Sequence, residues 1–172
     1  MDIKILDVGC GNSKAIGALG IDKYSDTQAE VIHDLDNYPW PFPDDKFYSV
    51  ICNDVLEHLD DVIKVVEEVH RISRKNAILY IRVPHFSSVQ AHSDLTHKHY
   101  FSSQSFDCFV QDDYPHKQYS KVKLKKISMR VCFPSFYKAV GLLANKFPKI
   151  YERYFAYILP SGNIEFRFKI LK

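Results

Sequence analysis

The chain has no apolar run close to the about 18 residues that a membrane-crossing helix needs, and no charged-then-apolar leader pattern. A spanning helix is not expected, and the reading is a cytoplasmic protein. Cys-x-x-Cys pairs are also missing: Cys10, Cys52, Cys108 and Cys132 lie far apart. That spacing argues against a zinc ribbon or a disulfide framework. Cys10 and Cys52 read as small space-filling residues. No internal repeat or low-complexity segment stands out. Between Asp113 and Glu152 there is not one acidic residue.

That last gap belongs to a wider asymmetry. Residues 1–113 hold 19 acidic and 10 basic side chains, whereas residues 114–172 hold 13 basic and 2 acidic, for a net charge of +2. Such a block suits an anionic partner, either nucleic acid, anionic lipid or a phosphorylated small molecule. The alternative, preferred here, is that the two halves neutralise each other within one fold. Length and composition agree with one domain over 1–172: 172 residues, 46% of them hydrophobic, can bury a core.

The most informative stretch is Ile5-Leu6-Asp7-Val8-Gly9-Cys10-Gly11. A short apolar run reads as a buried parallel strand. Glycine at its end lets the backbone turn sharply and approach a ligand closely. In open α/β sheets that strand end is where cofactors bind. By itself the motif leaves two readings open, a nucleotide-type site or an ordinary strand-to-loop turn. Further polar strand ends follow. Gly20-Ile21-Asp22 and Val31-Ile32-His33-Asp34-Leu35 read as strands tipped with carboxylates, and Tyr48 to Asn53 as a strand tipped with an amide. A carboxylate at such a tip accepts hydrogen bonds from ribose hydroxyls.

Further elements follow the same logic. Asp60-Asp61 opens a helix to about Ser73, with Val62, Ile63, Val65, Val66, Val69 and Ile72 at helical spacing. Residues 77–83 read as a strand stopped by Pro84, and 102–110 as a helix capped by Ser102 or Ser103. Residues 121–131 alternate basic and apolar side chains, as a half-exposed strand does. Residues 135–159 read as helical, interrupted at Pro148, and 163–171 as a final strand.

Leu6-Asp7-Val8-Gly9-Cys10-Gly11, Gly20-Ile21-Asp22, His33-Asp34-Leu35, Pro41 to Phe47 and Val55-Leu56-Glu57-His58-Leu59 together resemble class I S-adenosylmethionine-dependent methyltransferases of the type 11 branch. The resemblance covers about residues 3–110. It implies an α/β fold with a doubly wound, mostly parallel seven-stranded Rossmann-like sheet, order 3-2-1-4-5-7-6, the last strand antiparallel. It implies S-adenosylmethionine as cofactor, held by Asp7, Gly9, Cys10, Gly11, Asp22, Asp34, Leu35 and Asn53, and methyl transfer to a small-molecule acceptor. It also places His58 near the cofactor rim, although His58 could simply brace the next helix. The chain departs from its relatives by lacking a third glycine and a long first helix: Asn12-Ser13-Lys14 leads to Gly20 almost at once. The first crossover is therefore expected to be nearly helix-free, with Lys14 either a cationic partner for the cofactor or a solvated lysine.

The acceptor chemistry is expected between Pro84 and Phe101, a loop holding His85, His92, Asp94, His97 and His99. Three readings stay open. His97 with Asp94 or His85 forms a base or substrate-orienting dyad, since histidine titrates near neutral pH. Histidine and aspartate hold a metal, although none is expected. Or these side chains pin the loop. A helical, aromatic and basic insertion at about 133–160 carries Phe136, Tyr137, Phe147, Tyr151, Tyr154, Phe155 and Tyr157 among Lys138, Lys146, Lys149 and Arg153. The expectation is a cap packed on the sheet, with no nucleic-acid partner. Peripheral membrane contact and a homodimer interface are its alternatives. A non-catalytic cofactor-binding scaffold is the alternative for the whole chain.

Overall fold

The computed structural model describes residues 4–110, 119–134 and 137–172. The strands are β1 (Ile5–Val8), β2 (Leu19–Asp22), β3 (Val31–Ile32), β4 (Phe47–Asn53), β5 (Ser73–Pro84), β6 (Lys123–Val131) and β7 (Asn163–Leu171). They form one sheet in the order β3-β2-β1-β4-β5-β7-β6. β1 to β5 pair parallel, and β7 runs antiparallel to both β5 and β6. This is the sheet the sequence resemblance implies.

Register explains where the core sits. Leu6, Val50, Leu79 and Phe168 are aligned across four strands, and Val8, Cys52, Ile81 and Phe166 form the next row. All eight are buried. Against this face packs α1 (Val62–Ile72) through Val65, Val66, Val69 and Ile72. Each such side chain contributes about 1.5–3 kcal/mol by leaving water. Asp61 starts the helix by accepting from the N–H groups of Ile63 and Lys64, both at 3.1 Å. Phe106 fills the β7 end of the same face, its ring centroid 5.0 Å from that of Phe166.

The opposite face is thinly covered. Of Ile51, Tyr80 and Arg167, also in register, the first two are only half-buried and Arg167 is exposed. The cause is local: neither the β1–β2 nor the β2–β3 connection holds a helix. Asp7 on this face is instead covered by the first connection, where Ala15 N–H donates to its carboxylate at 2.7 Å.

Two sequence expectations fail. Residues 102–110 are turns ending in one 3-10 turn, Asp107–Phe109. Ser102 Oγ caps a turn by accepting from Gln104 N–H at 3.3 Å, so local polar bonding displaces the helix. The insertion forms α3 (Lys138–Lys146) and α4 (Pro148–Tyr154), but it is no packed cap. Tyr151 is buried with Ala144 and Ala156, whereas Leu142, Phe147, Tyr154, Phe155, Tyr157 and Ile158 are exposed, Tyr157 at 81%. Short helices lean on the sheet through one narrow stripe. Phe136 lies outside the described residues. A fourth short helix, α2 (Val89–Ser93), stands in the loop after β5. Lys126 pairs with Asp107 at 2.6 Å and Lys172 with Asp45 at 2.5 Å, so part of the basic segment is neutralised within the fold. Among the described residues no helix is long and apolar enough to cross a membrane.

Candidate active site

The turn after β1 is fixed by two left-handed glycines. Gly9 has φ +64°, and a Cβ there would lie 2.3 Å from Val55 Cγ2. Its N–H donates to Ile21 O at 2.8 Å. Gly11 has φ +49° and donates its N–H to Asp22 Oδ2 at 2.9 Å. Asp22 Oδ1 accepts from Tyr24 N–H at 3.0 Å. The carboxylate at the end of β2 thus holds the glycine turn and the following loop at once.

A recess of about 560 Å³ opens beside this turn, at the carboxyl ends of the parallel strands. Gly9, Gly11, Asp22, Asp34 and Leu35 line it, together with Tyr24, Asp36, Asp54, Val55, His58, Leu95 and Lys98. Three residues of the expected cofactor set do not. Asp7 is buried beneath the first connection, and that burial raises its carboxyl above the ordinary value. Cys10 is buried, its thiol pushed up to about 11 by burial and then by Asp7 and Asp22. Asn53 lies off the lining, its Oδ1 buried without a donor among the described residues. Lys14 is turned to Glu30, with which it forms an ion pair, and Glu30 in turn accepts from Gly20 N–H at 2.7 Å.

A second recess, about 680 Å³, adjoins the first and shares Asp54, His58 and Leu95 with it. Its other walls include Glu57, Pro84, Gln90, Asp94, His97 and Asn163. Asp54 sits at φ +50°, a conformation that aspartate tolerates. It forms an ion pair with Arg82 on the neighbouring strand. The reversal at Asp54 leads into a 3-10 turn, Leu56–His58, which brings Glu57 and His58 to the recess.

The loop after β5 closes on itself, with Phe86 N–H donating to Phe101 O at 2.9 Å. Its histidines are tied to carbonyls. His92 donates to Phe86 O at 2.9 Å, His99 to Leu59 O at 2.8 Å and His97 Nδ1 to Ala91 O at 3.2 Å. For His92 and His99 these bonds are what a loop-pinning role requires.

The expected dyads are not formed in this arrangement. The His97 ring does not bond the Asp94 carboxylate; the two residues meet only through the backbone, His97 N–H donating to Asp94 O at 3.3 Å. Asp94 Oδ1 accepts from Thr96 Oγ1 at 2.7 Å, and Thr96 Oγ1 accepts from His58 Nδ1 at 2.8 Å. Bonds from Thr96 hold the Asp94 carboxyl below its ordinary value. His85 is fully buried and lines neither recess. Its ring nitrogens meet Ser87 Oγ at 2.9 Å and Glu152 at 3.3 Å, which makes it an internal fastening. The sequence presents Glu57 only within the Val55-Leu56-Glu57-His58-Leu59 motif, outside the expected site set. Burial, with a further contribution from the Asp54 charge, pushes its carboxyl up to about 7. Burial, then His97, pulls His58 below the ordinary histidine value.

A larger recess of about 850 Å³ lies between β6–β7 and α3, lined by Tyr80, Arg130, Asn145 and Arg167. Glu165 stands beside the Tyr80 hydroxyl in its wall, and the glycine turn and the polar strand ends lie outside its lining.

A methyltransferase-domain family matches residues 2–114, well over half of the chain. The chain belongs to that family, and it is an enzyme of the methyltransferase class. Solved structures agree on the fold. A SAM-dependent methyltransferase from Archaeoglobus fulgidus superimposes with a TM-score of 0.61 at 16% identity, over 96% of this chain and 85% of that one. An S-adenosylmethionine-dependent methyltransferase from Mesorhizobium loti gives 0.62 at 12% identity, over 98% and 93%. The YcgJ protein of Bacillus subtilis gives 0.63 at 15% identity, over 99% and 93%. No curated protein matches the sequence.

Proposed function

We propose that this enzyme transfers the methyl group of S-adenosylmethionine to a small-molecule acceptor. The donor lies in the glycine-turn recess and the acceptor in the adjoining one. The observation that carries this reading is the shared wall of Asp54, His58 and Leu95 between the two recesses. A methyl group passing in line needs donor and acceptor on two sides of one short gap.

The residues present fit the cofactor. Gly11, on the recess wall, has open space where a Cβ would stand. The recess carries Asp22, Asp34, Asp36 and Asp54, a field suited to a cation. Asp54 Oδ1 is buried without a donor among the described residues, an acceptor suited to the ammonium of the methionine part. Asp22 accepts ribose hydroxyls with the lone pairs that Gly11 and Tyr24 leave over. Asp34 and Leu35 flank the adenine. The sulfonium supplies an activated methyl group; the chain orients it and excludes water. On the acceptor side His97 and Asp94 face the substrate, and His85 has no part.

The test is a titration with S-adenosylmethionine, followed by a screen of small hydroxyl, amine and carbon-acid acceptors read by release of S-adenosylhomocysteine. Tight binding and turnover with one acceptor class is expected. A wild-type chain that does not bind the cofactor would overturn the reading in favour of another use of the fold.

A second reading concerns peripheral contact with an anionic membrane. The exposed Leu142, Tyr154, Tyr157 and Ile158 beside Lys146, Lys149 and Arg153 favour it. Vesicle binding that weakens as salt rises supports it. A dimer seen by sedimentation that covers the same patch would replace it.

A further inference from the structure

Glu57 poses a chemical problem that methyl transfer does not solve. It is 1% exposed, and neither Oε1 nor Oε2 meets a donor among the described residues. A buried carboxylate in that condition is strongly disfavoured and takes up a proton unless something cationic completes it. Two histidines stand beside it. One ligand atom from each of Glu57, His58 and His97 lies within 4.8 Å of the others.

The histidines are already oriented for such a partner. His58 gives its Nδ1 proton to Thr96 Oγ1 at 2.8 Å, because that hydroxyl's own proton goes to Asp94. His97 gives its Nδ1 proton to Ala91 O at 3.2 Å, since a carbonyl only accepts. Among the described residues no hydrogen bond reaches either Nε2, so in both rings that lone pair is left available. A ring nitrogen fixed by an outer carbonyl or hydroxyl, with the other offered inward, is how metal-binding histidines are held.

We propose that Glu57, His58 and His97 bind a divalent first-row transition-metal ion, zinc or ferrous iron in class, at the wall of the acceptor recess. Two imidazoles and one carboxylate suit such ions, whereas magnesium and calcium take oxygen ligands. Ligand atoms around a bound ion sit roughly 3–3.5 Å apart, given bonds of about 2.0–2.2 Å. Small side-chain rotations close the observed spacing. Three protein ligands leave coordination positions open toward the recess. The acceptor class this favours carries an oxygen donor, a hydroxyl or a carboxylate, and His97 then acts as a ligand. The metal site stands on its own geometry; only the acceptor class named for it rests on the methyl-transfer reading.

The experiment uses the full chain, stripped with chelator and returned to metal-free buffer. It is titrated with zinc by calorimetry and with cobalt by visible absorption. One ion per chain is expected, with Glu57→Gln and His97→Asn each weakening it tenfold or more. S-adenosylhomocysteine is titrated in parallel into wild type and variants, which also reports that the variants are folded. A wild-type chain that takes up no stoichiometric zinc or cobalt overturns the site, as do variants that bind the ion like wild type. If the ion fails while S-adenosylhomocysteine binds, only the metal site falls. If the ion binds and S-adenosylhomocysteine does not, only the cofactor reading falls.

Discussion

Glu152 on α4 accepts two hydrogen bonds from Ser103, one from its N–H at 2.6 Å and one from its hydroxyl at 2.7 Å, across 49 residues of chain. His85 adds a third contact at 3.3 Å. Glu152 is the acid that ends the long basic stretch. It fastens the α3–α4 helices to the loop that walls the second recess. Burial opposes its ionisation, but the bonds from His85 and Ser103 outweigh burial and hold the carboxyl below its ordinary value.

Glu152→Gln is therefore expected to lose about 1.5–3 kcal/mol of stability at pH 7, the scale of hydrogen bonds to a charged group. The folded-state value is depressed, so the contribution is fully present above the unfolded value. It is lost as pH falls through the folded one. Urea unfolding should show a constant gap between wild type and variant above about pH 5 and a shrinking gap below about 4.5. A gap unchanged at acid pH would mean that ionisation is not its source.

Gly9→Ala brings a methyl group against Val55 at a positive φ. A loss of about 1–3 kcal/mol is expected from overpacking and strain. Adding Val55→Ala removes the clash and leaves the strain. The double variant should then lose less than the sum of the two single losses. Thermal melts of the four proteins measure this.

Asp22→Ala should weaken S-adenosylmethionine binding by about 1.5–3 kcal/mol. The loss has two sources here, the ligand contact itself and release of the glycine turn through Gly11 N–H. Calorimetry showing unchanged affinity would remove Asp22 from the site.

Tyr151→Ala should cost about 3 kcal/mol, because the ring is buried and its hydroxyl donates to Leu159 O at 2.8 Å. Ile158→Ala, in the same insertion but 73% exposed, should change stability by no more than about 0.5 kcal/mol. Equal losses at both positions would restore the packed cap that the aromatic content suggests.

Much of the sheet could be read from the chain. β1, β4 and β7 announce themselves by apolar runs or alternation, and the glycine turn with Asp22 is a bond between residues 11 apart. What escaped was decided at long range. The exposure of Tyr157 depends on how two short helices lean, which composition does not encode. His85 resembles a catalytic residue until Glu152, 67 residues on, is seen to hold it. Glu57 stands in the motif Val55-Leu56-Glu57-His58-Leu59, but its burial with no donor among the described residues shows only in the fold. The bond from His58 to Thr96 spans 38 residues and requires the loop after β5 to fold back first.

The sheet ends on β6, whose outer row of backbone groups would accept a strand from another molecule. Lys123, Lys125 and Arg130 stand exposed along that strand, and its register slips between Lys126 and Ser128. A second chain laid there would meet repelling charge and a broken ladder. The opposite border, β3, is two residues long and offers almost nothing to template. Charge that reads in the sequence as a handle for an anionic partner thus works on this border as a guard against fibril-like stacking.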